Sequence, residues 1–500
     1  MTEMALMVWM ALIGFAVLGP LWGRVSPFGI GAMAFPAGVA AYALGSLLLL
    51  TVDVGFSTVA GLVVASVGGM VVVLVGGRTP GVSAGVMLAT IGIVVGACAI
   101  GAIILQNVHL TRLTADSVRY LATAGALETA GSLDGVSAWD LRMRHLGAPL
   151  MHTGGVVTGR GYLASITALL AASGLATAAW VAWEGFVVWA TPTRWRWLLL
   201  GATAALLIST NRWLYHAFYV NGHMAIGVLL MVGVGATWVA ARRGTWVLLI
   251  PAAIAFGALP PWRPEAAVTG AVFLIPLVSV VAIPIALRWA LAAPFVATTV
   301  LWHGIAYPAR AVDGDLGVFG PVYGNLFVAA GIVVLLAVAS VARVRRVAVY
   351  APWVMLAGLV AYVALAAAFD PRTLEDTLAA TGSNLAVSGL WGLYWWVLPL
   401  FIVGALLVIR FRLQSMWTMS IFGYTLALLA FVYLREGPYR VGTGDSGSRM
   451  MVHAVFVAIV YVVLAASAAL ARDDGADEAQ VPDAADEIRG GGRSRSRGVA

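Results

Sequence analysis

The run Gly85-Val86-Met87-Leu88-Ala89-Thr90-Ile91-Gly92-Ile93-Val94-Val95-Gly96-Ala97-Cys98-Ala99-Ile100-Gly101-Ala102-Ile103-Ile104-Leu105 carries no charge and is apolar on every side. As a helix rising ~1.5 Å per residue it is roughly 31 Å long, the thickness of a bilayer's hydrocarbon core. A strand of a membrane barrel would alternate at period two over about ten residues, so the run reads as a spanning helix. Comparable runs recur at about 4–22, 29–50, 56–77, 82–105, 162–190, 197–210, 224–240, 245–259, 266–287, 289–304, 326–342, 350–368, 393–409, 415–434 and 450–471. With 61% hydrophobic and 10% charged residues and a mean hydropathy of +0.95, the 500-residue chain is an all-α polytopic transmembrane bundle of about 15 spans.

Charge orients those spans. Every second connection holds Arg24, Arg78, Arg194, Arg196, Arg242, Arg243, Arg288, Arg343, Arg345, Arg346, Arg410 or Arg412 and no acid. Because short cytoplasmic loops collect basic residues, these connections are expected inside, the N-terminus outside and the C-terminus inside. The acids of the other connections (Asp53, Asp116, Glu128, Asp134, Asp140, Glu265, Asp313, Asp315, Asp370, Glu375, Asp376, Glu436, Asp445) and all seven His (His109, His145, His152, His216, His223, His303, His453) then fall on or near the outer side. The chain divides into four N-terminal spans (1–105), an outer loop (106–161), the remaining spans (162–471) and a polar, disordered cytoplasmic tail (472–500).

All 29 basic residues are Arg, and the net charge of +7 is spread over many loops, so it reports topology and not nucleic-acid binding. The lone Cys98 lies inside an apolar run, which leaves no disulfide framework and no thiolate metal site. Met1 to Ala5 carries Glu3 and no basic residue, so the first span is expected to be permanent and not a cleaved signal.

Four outer stretches carry candidate chemistry. In the 106–161 loop, Thr114 can cap a short surface helix with Asp116 at its positive end, Tyr120 one turn on, and Val118, Leu121 and Ala122 as its apolar side. A carboxylate there can accept a proton from a hydroxyl, or simply stabilise the helix start. Asn211 to His223 mixes aromatic faces with hydrogen-bonding groups (Tyr215, His216, Asn221, His223), a combination that binds sugars and that also anchors chains at interfaces. Arg263 and Glu265 stand at the outer end of two spans, where Arg263 can meet a phosphate or pair with Glu265. A Gly-rich turn with Asp445 delivers Arg449 and His453 to one side of the last span, an Arg fork suits phosphate as well as a headgroup, and Asp445 and His453 join Tyr120, Tyr215, His216, Asn221, His223 and Glu265 as candidate substrate ligands.

The early acid in Ala115-Asp116-Ser117-Val118-Arg119-Tyr120-Leu121, the return to the membrane at Arg160-Gly161-Tyr162-Leu163, and the elements Arg263-Pro264-Glu265 and Asp445-Ser446-Gly447-Ser448-Arg449-Met450 together resemble the GT-C superfamily of polytopic membrane glycosyltransferases. That resemblance implies Asp116 as catalytic base, Arg263 and Arg449 as ligands of the donor phosphate, and a polyprenyl-phosphate sugar as donor. The acceptor would be an envelope glycan, lipid or protein at the outer face of the cell membrane. In that family the long loop commonly follows the first span, whereas here it follows the fourth. The loop lacks an adjacent Asp-X-Asp, so no cofactor is expected and the dependence on a divalent metal is left open.

The rival reading is a multi-span transporter or lipid flippase. It calls for ionisable residues in mid-span and two repeated halves. Glu184 is the main acid inside a span, and no repeat is evident.

Overall fold

The computed structural model describes residues 1–76, 81–138, 140–141, 145–263, 265–279, 283–306, 316–317, 320–321, 329–334, 336–338, 351–392, 394–395, 415–434, 438–442 and 444–473. The expected span at 393–409 and the tail fall largely outside them, and the one at 326–342 is described at 329–334 and 336–338. Among the described residues the one strand ladder pairs Leu316–Gly317 with Gly320–Pro321, and nearly all the rest is helical.

In chain order the helices are α1 (Glu3–Val17), α2 (Pro27–Val52), α3 (Thr58–Val75), α4 (Ala84–Leu105), α5 (Ala115–Ala130), α6 (Gly147–Val157), α7 (Ile166–Val188), α8 (Thr193–Ile208) and α9 (Asn211–Phe218). They continue with α10 (His223–Arg243), α11 (Leu249–Ala258), α12 (Ala266–Val278), α13 (Ile285–Thr299, extended by a π-helical stretch Val300–Ala306), α14 (Ala351–Phe369), α15 (Pro371–Ser383), α16 (Ser415–Leu434), α17 (Ser446–Met450) and α18 (Val452–Asp473).

Seven of these are long and apolar enough to cross a membrane: α2, α3, α4, α7, α10, α13 with its π extension, and α18. Helices α1, α11 and α12 are apolar but shorter. The pattern of burial fits a bilayer. Helix α10 is almost wholly buried against α7, α11, α12 and α18, while α4 leaves Leu88, Ile93 and Ile100 more than half exposed. So much open apolar surface on a helix belongs against hydrocarbon.

Three sequence expectations are adjusted. The segment 197–210 forms α8, a 16-residue helix that starts at Thr193 and is not among the membrane-length set. The expected spans 266–287 and 289–304 become α12, ending at Val278, and α13, beginning at Ile285. Pro284 forces that boundary, because it has no N–H to continue a helix and holds Ile283 out of the helical region. The buried Arg288 Nε then donates to Ile283 O at 2.6 Å and closes the gap.

The 106–161 stretch also differs from a purely outer polar loop. Its second half folds into α6, buried from Gly147 to Gly155 against α1, α2, α3 and α5. Small residues permit this: a Cβ at Gly155 would lie 2.4 Å from the Tyr162 backbone. Thr153 at its centre bonds Tyr42 Oη (2.7 Å) and Thr58 Oγ1 (2.8 Å), and Thr58 donates its N–H and hydroxyl to Glu128 Oε2 of α5 at 2.9 and 2.7 Å. This network ties α5 to α2, α3 and α6.

Helices α1 and α2 approach so closely that a Cβ on Gly38 would lie 1.8 Å from Met10 O, and one on Gly14 would lie 1.6 Å from Ala34 O. Contact with backbone cannot be relieved by a rotamer change. Gly38→Val is therefore expected to destabilise the detergent-solubilised protein by at least the usual ~1–3 kcal/mol of overpacking, read as a lower apparent Tm. An unchanged Tm would contradict the packing described.

Candidate functional site

The site begins with the start of α5. Thr114 and Ser117 form a reciprocal capping box, with Thr114 N donating to Ser117 Oγ at 3.1 Å and Ser117 N donating to Thr114 Oγ1 at 3.4 Å. Helical spacing puts Ser117, Tyr120, Ala124 and Leu127 on the buried side. The expected apolar side is turned the other way: Val118 is 60% exposed. The buried side wins because its polar atoms find partners. Ser117 Oγ donates to Val220 O (3.1 Å), and Thr114 Oγ1 bonds Tyr219 Oη (2.8 Å). Arg112 N donates to Phe218 O (2.7 Å) and Val220 N to Arg112 O (3.2 Å), a short bridge that stitches α5 to the stretch 211–223.

Asp116 thereby faces the opposite end of the chain, and its Oδ2 accepts from Arg449 Nη1 at 2.8 Å. Arg449 sits on α17, whose N-cap is Asp445. The two carboxylate oxygens of Asp445 accept from Arg440 N (2.9 Å) and Ser448 N (3.2 Å), so this expected substrate ligand shapes the turn that presents Arg449. Asn384 pins the same turn, accepting from Gly442 N and donating to Arg440 O.

The third arm is the turn before α12. Leu146 N and Gly147 N donate to Pro261 O and Trp262 O, and the Trp262 ring lies against Gly147 and Gly222, where a Cβ would come within 2.3 and 2.9 Å of it. Held there, Arg263 donates through Nε to Glu265 Oε1 (2.6 Å) and through Nη1 to the buried Tyr120 hydroxyl. Next to it, His223 Nδ1 and His453 Nε2 are 2.9 Å apart, and Glu265 Oε1 lies 3.9 Å from His223 Nδ1. Asn221 Oδ1 accepts from His223 N (2.9 Å).

The structure thus brings Asp116, Tyr120, Arg263, Glu265, Arg449, His223 and His453 into one constellation, drawn from stretches far apart in the chain. Tyr215, His216 and Asn221 flank it: the His216 ring is 5.8 Å from His223, and Tyr215 packs on Tyr219. A cavity of about 390 Å³ opens beside Arg449, lined by Arg440, Val441, Gly444, Asp445 and Ser446.

Three neighbours were not singled out from the sequence: Tyr219, Tyr424 and, above all, Arg212. Fully buried in α9, Arg212 stacks its guanidinium over the Tyr215 ring at 5.8 Å, and Nε, Nη1 and Nη2 have no hydrogen-bond partner among the described residues. Its sequence signal was only its membership of the aromatic stretch 211–223. Burial and the nearby Arg449 lower the Arg212 pKa to about 10, which leaves it charged at neutral pH. Burial, then Arg212 and Arg449, hold His216 well below the ordinary histidine range, so it is neutral. Burial also works against the charges of Arg263 and Arg449, but Glu265 and Tyr120 outweigh it at Arg263, and the Asp116 hydrogen bond does so at Arg449; both pKa values are raised. The arrangement is a cluster of buried cations with two positioned carboxylates, Glu265 on Arg263 and Asp116 on Arg449, suited to an anion and a proton acceptor.

The chain matches no protein-family model, no curated protein and no solved structure.

Burial alone would raise the Glu265 pKa, and Arg263 overrides it and lowers the value below the ordinary 4.5. A depressed folded-state pKa gives stability that is present above the free carboxylate's range and is lost as pH falls through the folded value. Glu265→Gln is therefore expected to cost about 3 kcal/mol near pH 7, as for a buried pair robbed of one partner, with a gap from wild type that closes as pH falls below the ordinary carboxylate range. Thermal unfolding across pH in detergent measures this. A pH-independent gap would remove the ionised carboxylate from the account.

Proposed function

We propose that the chain is a membrane glycosyltransferase that takes a sugar from a polyprenyl-phosphate donor and transfers it to a hydroxyl of an envelope glycan, lipid or protein. The observation that carries this reading is the Asp116–Arg449 ion pair set beside Arg212, whose three buried guanidinium nitrogens have no hydrogen-bond partner among the described residues. An uncompensated buried cation is costly unless an anion joins it, and a phosphate fits a guanidinium fork. Arg449 can serve both partners, since Nη1 holds Asp116 while its buried Nε has no partner among the described residues.

The likeness of Asp116, Arg263 and Arg449 to the GT-C pattern supplies the reaction. The acceptor hydroxyl gives its proton to Asp116 as its oxygen bonds the anomeric carbon, and the sugar–phosphate bond breaks with its electron pair leaving on the phosphate. Arg449 and Arg212 stabilise that developing charge, with Arg263 beside them.

Topology supports use of the site at the outer face. Helix α10 carries His223 at the site end and Arg242 and Arg243 at the other, 21 residues or about 30 Å away. If the Arg-bearing end is cytoplasmic, the constellation opens outside. Both termini then follow the fifteen-span arrangement, N-terminus outside and C-terminus inside. Glu184, the in-span acid on which a transport reading would draw, bonds Trp180 Nε1 (3.0 Å) and Arg243 near that inner end.

Two substitutions test the reading. Asp116→Asn keeps an oxygen for Arg449 and removes the basic site, so transfer from a polyprenyl-phosphate sugar should fall by roughly 10² to 10⁴, while stability falls by only about 0.2–1 kcal/mol, as for a partly exposed ion pair. Near-normal transfer would exclude Asp116 as the base. Arg212→Met removes a buried charge without leaving an orphaned partner, so stability should hold or rise. Donor affinity should drop roughly tenfold to hundredfold, the equivalent of about 1.5–3 kcal/mol for a charge-assisted contact. An unaltered affinity would separate Arg212 from the donor.

A further inference from the structure

Behind the Arg263–Glu265 pair, His223, Glu265 and His453 are all buried, and one ligand-capable atom from each lies within 4.8 Å of the others. Two imidazoles and a carboxylate form a donor set typical of catalytic Zn²⁺ and related divalent ions, which keep a further position open. Ligands at Zn-type distances stand roughly 3.3 Å apart in a tetrahedron. The observed His223 Nδ1–His453 Nε2 and His223 Nδ1–Glu265 Oε1 separations of 2.9 and 3.9 Å bracket that value.

Proton placement gives an independent argument. Tyr424 donates its hydroxyl hydrogen to Met450 O at 2.6 Å, so toward His453 Nδ1, at 3.1 Å, the hydroxyl oxygen must accept. His453 therefore carries its proton on Nδ1 and turns the Nε2 lone pair toward His223. In a ligating histidine the far nitrogen commonly donates to an outer partner that fixes tautomer and ring, as Tyr424 does here for His453. The atom between the two rings is then the single proton of His223 Nδ1, in the place a cation would take. His223 is itself anchored by Asn221 through its backbone N–H. Its Nε2 is buried with no partner among the described residues.

We infer that His223, His453 and Glu265 form a binding site for one divalent transition-metal ion, with Tyr424 as the positioning residue of His453. Glu265 holds Arg263 through Oε1. Its carboxylate has a second oxygen, so it can bridge guanidinium and ion. Asp116 is not a ligand, and the site draws nothing from the long 106–161 loop. Loading moves the Nδ1 proton of His223 to its own Nε2, a change of tautomer within the neutral ring, so that both facing nitrogens present lone pairs. The role of the ion rests on the transferase reading: it lies one side chain behind Arg263 and adds positive charge where the donor phosphate leaves.

Binding is tested without any assay of transfer. The full-length chain, carrying no polyhistidine tag and stripped with chelator, is titrated with Co²⁺, followed by its visible absorption, and then with Zn²⁺ in competition. One equivalent is expected, with absorption bands of four- or five-coordinate Co²⁺. His223→Asn/His453→Gln should lose that equivalent while remaining monodisperse, and Tyr424→Phe should weaken it about 10- to 100-fold with the stoichiometry intact. Wild type that binds no Co²⁺ or Zn²⁺, or binding undiminished in the double His variant, overturns the site. Metal binding with no effect on transfer would leave the site standing and count against the transferase role alone.

Discussion

A guanidinium removed from water must be met by an anion, and the bundle has to satisfy that condition several times in one small volume. Arg263 is met by Glu265 and Tyr120, and Arg449 by Asp116. The contacts that hold those partners in place fix much of the polar end of the molecule: the capping box of α5, the stitch between Arg112 and the 218–220 backbone, the Asp445 cap of α17 and the clamp on Trp262. Arg212 is the exception, buried without such a partner among the described residues, and its cost is understandable if the molecule is completed by a bound anion.

The site's polar residues stood out in the sequence for a physical reason. In a chain so poor in charge, each Asp, Glu, His or Arg between the apolar runs is a departure from the surroundings, and helix-start chemistry at Thr114 and Asp445 could be read locally. The pairing could not. Nothing in the neighbourhood of Asp116 points to a residue 333 positions away, and nothing in the stretch 211–223 separates the buried Arg212 from an ordinary interfacial arginine.

The fold divides in the same way. Continuous apolar runs gave helix positions well, and α16 spans the 415–434 expected from composition. Where other signals compete, hydropathy misleads. Pro284 moves the boundary between α12 and α13 inside what looks like one apolar stretch, and α6, built from Gly, Pro, His and Thr among its apolar residues, is too mixed to read as core until Thr153, Tyr42 and Thr58 are seen to satisfy one another. The orientation of α5 failed for a related reason, since hydrogen bonding by Ser117 and Thr114 outweighs the modest apolar gain from Val118.

The separation of Asp116 and Arg449 also bears on how the molecule is made. At about 5–20 residues per second, the ribosome adds Arg449 roughly 20 to 70 s after Asp116. During that interval α5 can cap itself and dock on α6, and Arg263 can find Tyr120 and Glu265, but the carboxylate and its guanidinium cannot meet. Closure of the polar centre therefore waits for α17 and α18, so a chain stalled before them carries an unfinished charge cluster, with Asp116 lacking the guanidinium that meets it in the complete fold.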